Sequence, residues 1–188
     1  METDRIAAKQ LLEPVKLLKP DEVLGYIESC GITHGLYGWW FDEGLPMVPR
    51  EGCIERDGKH LLYVGIAPRK GRTAKKCARS PLKRRFQENH LRRVRKSTLR
   101  KSLSALLNSE LRLEFARGKG GKLGMDRRNE AALTEWINRH AAVSMVQHLE
   151  PWRVEEELVR HGPPLHLNIQ MSPHPFSSIL SEMRCALG

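Results

Sequence analysis

Only four cysteines occur in the chain, Cys30, Cys53, Cys77 and Cys185, and no two of them are spaced as a metal clip. That scarcity argues against a zinc ribbon and against a disulfide-stapled secreted fold, and it points to a reducing, cytoplasmic setting. No apolar run approaches the ~20 residues that a membrane span requires. The opening residues Met1-Glu2-Thr3-Asp4-Arg5 lack the basic-then-apolar order of a secretory signal. Internal repeats and long low-complexity segments are missing too, which sets solenoids and linked arrays aside. A chain of 188 residues is long enough to bury a core without disulfides or metal, so a single domain over 1–188 is expected.

Acid is almost absent from one stretch. Between Pro68 and Lys101 there are fifteen basic residues and one acidic residue, Glu88, for a local charge of +14, while the rest of the chain carries −4 and the whole +10. A one-sided stripe of this kind suits a phosphate backbone. The blander reading is a solvated basic surface. Within or beside the stripe, Lys75, Lys76, Arg79, Arg84, Arg92, Arg93 and Arg100 are the candidate nucleic-acid contacts.

Turn residues and apolar periodicity divide the chain. A first helix is expected over 20–29, opened by Pro20, striped by Val23, Leu24 and Ile27 and stopped by Gly31. Gly35 to Phe41 and Leu61 to Ile66 read as strands. The Gly-, Pro- and charge-rich segment 42–59 joins them as a long hairpin connection, which makes them antiparallel neighbours. Ser80-Pro81 is a good helix start, with Leu82, Phe86 and Asn89 on one face, and Ser97 or Thr98 can cap a second helix carrying Leu99, Leu103, Leu106 and Leu107. Residues 118–124 read as a mobile loop, 131–140 as a helix, 142–149 as a third strand, 151–160 as a helix and 175–187 as a helical tail. The expected fold is α+β: a small, mainly antiparallel, three-stranded sheet flanked by helices.

Several of these pieces resemble one known family. Gly35-Leu36-Tyr37 and Tyr63-Val64-Gly65, each in a strand, look like the two half-motifs of the GIY-YIG nucleases. The basic helix from Leu82 to His90 is similar to the family's arginine helix, and Glu155 to Val159 to its glutamate helix. Pro163-Pro164-Leu165-His166-Leu167-Asn168 resembles the closing asparagine turn. His166 stands where a direct Pro-Leu-Asn would put asparagine, so Asn168 is assigned to that role. The resemblance covers 32–176 in the family's order, and it marks this span as the nuclease core, with the helix 20–29 before it and the helical tail after it.

Helix geometry singles out individual side chains. With Val154 as origin and about 100° per residue, Leu158 lies near 40°, Glu155 near 100°, Val159 near 140° and Trp152 near 160°. Glu155 therefore sits inside the apolar arc and Glu156 well outside it. A carboxylate on such an arc must be paired with a cation or bound to a metal. On the next helix considered, Arg85 borders the stripe of Leu82 and Phe86, and Arg84 faces away.

The resemblance implies a divalent-metal-dependent endonuclease acting on DNA, with RNA left open as a substrate. It implies Glu155 as the ligand of a single Mg²⁺ or Mn²⁺ ion, Tyr37 as general base, Tyr63 as a positioning group, Arg85 as the group that neutralises phosphate charge, and Asn168 as an orienting residue. His90, on the arginine helix, and Gly35 and Gly65, in the half-motifs, are accessory candidates. No membrane partner is expected, and cutting both strands with one site calls for a homodimer or two successive nicks. The alternative is a non-catalytic nucleic-acid-binding module on the same fold.

Overall fold

The computed structural model describes residues 2–71, 80–118 and 123–187. In chain order the elements are α1 (Glu2–Leu12), α2 (Val23–Ser29), β1 (Gly35–Phe41), β2 (Glu55–Arg56), β3 (Lys59–Ala67), α3 (Pro81–Arg84), a π-helical turn (Arg85–His90), a 3-10 turn (Val94–Lys96), α4 (Thr98–Leu106), α5 (Asn108–Leu111), β4 (Ala116–Arg117), β5 (Leu123–Gly124), α6 (Arg127–His140), β6 (Ala141–Gln147), α7 (Pro151–His161) and α8 (Phe176–Cys185). The fold is α+β, and its main sheet is antiparallel, in the order β2-β3-β1-β6. It has four strands where the sequence predicts three. The extra strand, β2, is two charged residues long and pairs Glu55 and Arg56 with His60 and Lys59, too short and too polar to leave a pattern. The small β4–β5 pair likewise falls partly in the segment expected to be a mobile loop.

Each face of the sheet buries its own apolar layer. On one face Tyr37, Trp39, Phe41, Leu62 and Tyr63 pack with Phe86, Leu99, Leu103, Trp136 and Leu180. On the other, Leu36, Trp40, Leu61, Val64 and Ile66 meet α1 through Ala7 and Leu11, and α7 through Val154, Leu158 and Val159. Helix α1 is not anticipated by the sequence, because its core contact rests on two residues one turn apart. It is pinned by a relay in which Trp40 Nε1 donates to Ser144 Oγ at 2.9 Å and Ser144 donates to the Leu11 carbonyl at 3.1 Å.

Local chemistry explains the other boundaries. Ser80 Oγ accepts from the Lys83 amide with Pro81 in the first turn, Ser97 accepts from the Arg100 amide, and Asp126 accepts from the Asn129 amide, so three helices begin where a capping side chain stands. The register of β1 against β3 slips between Trp39 and Trp40, leaving Leu62 as an extra residue. This bulge puts Leu62 and Tyr63 on the same face and so aims Tyr63 toward Tyr37's side of the sheet. Among the described residues no helix is long and apolar enough to cross a membrane.

Candidate active site

The helix expected over 82–90 changes character halfway. It is α-helical for one turn and π-helical from Arg85 to His90. In an α-helix, residues five apart point about 140° away from each other. The wider π turn, bonded i to i+5, brings them to one side. Arg85 Nε donates to the Tyr37 hydroxyl at 3.0 Å, and His90 Nε2 lies 2.7 Å from the same oxygen.

Tyr37, His90 and the groups around them are enclosed. Tyr37 is fully buried and His90 nearly so. Burial pushes the Tyr37 phenol above its ordinary pKa, opposed chiefly by the Arg85 charge. Burial, reinforced by Arg85 and Arg100, holds the His90 imidazole well below the usual histidine range, so it is neutral. The arrangement that satisfies the buried phenol has Tyr37 accepting from Arg85 and donating to His90 Nε2. His90 Nδ1 then carries the ring proton and meets Ser97 Oγ at 3.1 Å.

The remaining groups arrive from β3 and α7. Tyr63 is buried, and its phenol is pushed up by burial, with Tyr37 adding to the shift and Arg85 opposing it. Glu155 lies on the inner side of α7, half-buried, whereas Glu156 and Glu157 are exposed. Its carboxyl is pushed up to about 7 by burial, against the pull of the Arg85 and Arg69 guanidiniums. Among the described residues it has no hydrogen bond or ion pair. The groups act on one another electrostatically: Tyr37 and Tyr63 each feel Arg85, Glu155 and Arg69.

Two accessory glycines have steric reasons. A Cβ on Gly65 would lie 2.6 Å from the ring carbon Cζ and the hydroxyl of Tyr37, so the phenol occupies the space that any side chain there would need. A Cβ on Gly35 would collide with the Val146 carbonyl of the neighbouring strand. Asn168 acts on the backbone: its Oδ1 accepts from the Val64 amide and its Nδ2 donates to the Val64 carbonyl, both at 2.8 Å. The amide thus takes the place of a strand neighbour on the edge of β3, next to Tyr63 and Gly65.

The basic candidates divide. Arg84, Arg92 and Arg93 are exposed. Arg84 lines a hollow of about 450 Å³ together with Arg69, Arg85, Asn89 and Lys96. Arg69 was not singled out in the sequence. It stands two residues beyond the end of β3, after Pro68, and its signal in the sequence is membership of the basic stretch 68–101. Lys75, Lys76 and Arg79 lie outside the described residues. Arg100, expected at a phosphate, is instead fully buried. Its guanidinium donates to the carbonyl and Oε2 of Glu130 at 2.9 and 2.8 Å, to Thr134 Oγ1 at 3.0 Å and to the His90 carbonyl at 3.2 Å. A leucine-flanked helix position enclosed by α6 explains the difference, since a cation there must be neutralised within the fold.

The family model of the GIY-YIG catalytic domain matches residues 35–186. No curated protein and no solved structure matches the chain.

Proposed function

The chain belongs to the GIY-YIG family, and on that premise we propose that it is a divalent-metal-dependent endonuclease hydrolysing phosphodiester bonds in DNA. The observation that carries this reading is the convergence of Arg85 and His90 on the Tyr37 hydroxyl, with the Glu155 carboxyl electrostatically coupled to the same group. Three elements far apart in sequence supply these groups, and a core would be better served by apolar side chains at each place.

The chemistry of Glu155 fits a metal. A half-buried carboxylate without a partner among the described residues, raised to about 7, is relieved of its desolvation cost by a hard divalent cation. Among the described residues no cluster of three or more acidic, histidine or cysteine groups could form a fuller cage. Glu155 would thus be the protein ligand of Mg²⁺ or Mn²⁺, with water and phosphate oxygens filling the remaining positions. Bound there, the ion would supply Lewis-acid stabilisation of the scissile phosphate and the leaving oxygen.

The chain's own residues do the rest. Tyr37 takes a proton from the attacking water as it gives its own to His90 Nε2, 2.7 Å away, which holds it only transiently because burial beside Arg85 and Arg100 disfavours the imidazolium. Arg85, held by Tyr37, faces charge developing on the phosphate. Tyr63 positions the reacting groups from the adjacent strand, and Asn168 keeps that strand in register. Arg69, Arg84, Arg92 and Arg93, joined by Lys75, Lys76 and Arg79, hold the DNA backbone. The enzyme works as a single domain in the cytoplasm, and cutting both strands takes a second copy or two nicks.

Conversion of supercoiled plasmid to open circles tests this reading. The expected result is nicking with Mg²⁺ or Mn²⁺, none in chelator and none with Glu155→Gln. Plasmid binding without nicking under every metal condition would favour the non-catalytic module, and cleavage of RNA alone would overturn the assignment of DNA.

A further inference from the structure

A second hollow, of about 410 Å³, opens between α4, α8 and the segment that follows Asn168. Its polar lining is Thr98, Lys101, Gln170, Ser181 and Arg184, and no carboxylate lines it among the described residues. Arg184 is half-buried, and burial lowers its pKa. Among the described residues it has no hydrogen bond and no ion pair. A guanidinium in that condition has given up part of its hydration without a carboxylate in return, which is costly unless an anion completes it.

The hollow adjoins the reaction centre through two connections. Asn168 bonds both backbone groups of Val64, and Ile169 and Gln170 run from it into the lining. Arg184 in turn is near enough to Tyr63 for the two to interact electrostatically. The other basic hollow, lined by Arg69, Arg84 and Lys96, lies across the Val94–Lys96 turn: Lys96 borders one hollow and Thr98 the other. The first hollow also holds Glu88, which pairs with Lys96 at 3.2 Å, so its cations free for an anion are Arg69, Arg84 and Arg85, whereas the second has no carboxylate among the described residues.

We propose that the α4–α8 hollow is a second backbone subsite, in which Arg184 binds a phosphodiester of the DNA strand on the far side of the cleaved bond from Arg69 and Arg84. The inference rests on the nuclease reading above. It commits to a phosphate within a strand and not to a free phosphate. The grounds are adjacency to Tyr63 and a donor set of the Arg184 guanidinium, two hydroxyls and an amide along an open groove.

Affinity for a short labelled DNA duplex, measured in chelator over a series of salt concentrations, decides the matter. Arg184→Gln should weaken binding roughly tenfold at low salt and make the slope of log affinity against log salt shallower by about 1. Arg184→Lys should keep most of the slope. Ser181→Asp, which adds a negative charge without removing packing, should weaken binding at least as much as Arg184→Gln. Arg139→Gln, an exposed cation on α6 paired with Glu135, should leave the slope unchanged. Circular dichroism verifies that each variant is folded. If the wild type binds and nicks DNA while Arg184→Gln and Ser181→Asp keep its slope, the subsite is wrong and the nuclease reading stands. If inorganic phosphate alone raises the melting temperature of the wild type but not of Arg184→Gln, with slopes unchanged, the hollow is a free-anion site and the proposal falls. A wild type that neither binds nor cuts DNA removes both.

Discussion

Arg85 and His90 stand five positions apart and meet at one atom, the Tyr37 hydroxyl, at 3.0 and 2.7 Å. The π turn is what makes this possible. An α-helix would achieve the same convergence with a spacing of four, because four residues complete about 400°. Deleting the exposed Gln87 should therefore let the segment relax to an α-helix with Arg85 and His90 still on one side, retaining nicking within about tenfold of wild type. Inserting an alanine after Gln87 should separate them and abolish nicking. Plasmid-nicking rates with circular dichroism check both, and equal loss in the two variants would show that the π turn has another purpose.

The two neighbouring arginines should separate kinetically. Arg85 is fixed by Tyr37, whereas Arg84 is exposed on the wall of the groove. Arg85→Ala is expected to slow single-turnover cleavage by at least ~10²-fold with little change in DNA affinity. Arg85→Lys should rescue little, since an ammonium cannot hold Tyr37 and a phosphate in one planar geometry. Arg84→Ala should leave the chemical step near normal and weaken binding modestly. Rates at saturating enzyme settle it, and equal rate losses would mean that both arginines serve the phosphate.

Much of this site was legible in the sequence, and the reasons are local. Tyr37, Tyr63 and Arg85 sit in short motifs, and Glu155 betrays itself by lying within the apolar arc of Val154, Leu158 and Val159. What was not legible depends on residues distant in sequence. Arg100 reads as one more cation in a basic run until α6 brings Glu130 against it. The bulge at Leu62 needs Trp39 and Trp40 opposite it, and β2 is two charged residues that pair only because the hairpin folds back. The π turn has no sequence signature at all, since Phe86, Gln87, Glu88 and Asn89 suit an α-helix equally well.

Glu155 should couple stability to pH and to metal. Its pKa in the folded protein, about 7, lies above the ordinary carboxylate value of 4.5. The folded state therefore holds this proton more tightly, a contribution fully present below pH 4.5 and lost as pH rises through 7, of ~3 kcal/mol at full extent. Metal-free protein should lose thermal stability across that window, and Mg²⁺ should raise the melting temperature more at pH 8 than at pH 5.5, where protons compete for the carboxylate. Glu155→Gln should flatten this part of the pH dependence and remove the Mg²⁺ effect. Calorimetry at the two pH values, with and without chelator, gives the answer. A Mg²⁺ stabilisation that survives in Glu155→Gln would place the ion elsewhere.

Gly65 should be intolerant of even one methyl group. With its Cβ position 2.6 Å from Cζ of Tyr37, Gly65→Ala must push the phenol off Arg85 and His90. The expected cost is ~1–3 kcal/mol of stability, read as a fall in melting temperature, and a rate loss approaching that of Tyr37→Phe. Gly25→Ala, where a Cβ would meet nothing within 4 Å, is the matched control and should leave nicking unchanged.

The Asn168 amide on the rim of β3 bears on how this protein behaves at high concentration. Beyond its two-residue pairing with β2, β3 would present a row of unsatisfied peptide groups, the kind of rim onto which a foreign strand can add. A carboxamide offers one donor and one acceptor with the spacing of a peptide unit, and it has no further residues to pass the pattern on. It completes a single rung at Val64, and the adjacent Leu167 amide closes the rung before it on the Leu62 carbonyl at 2.8 Å. An incoming strand must evict both before it gains any contact of its own. The side chain that holds β3 at Val64 thereby blocks strand addition at that point of its edge.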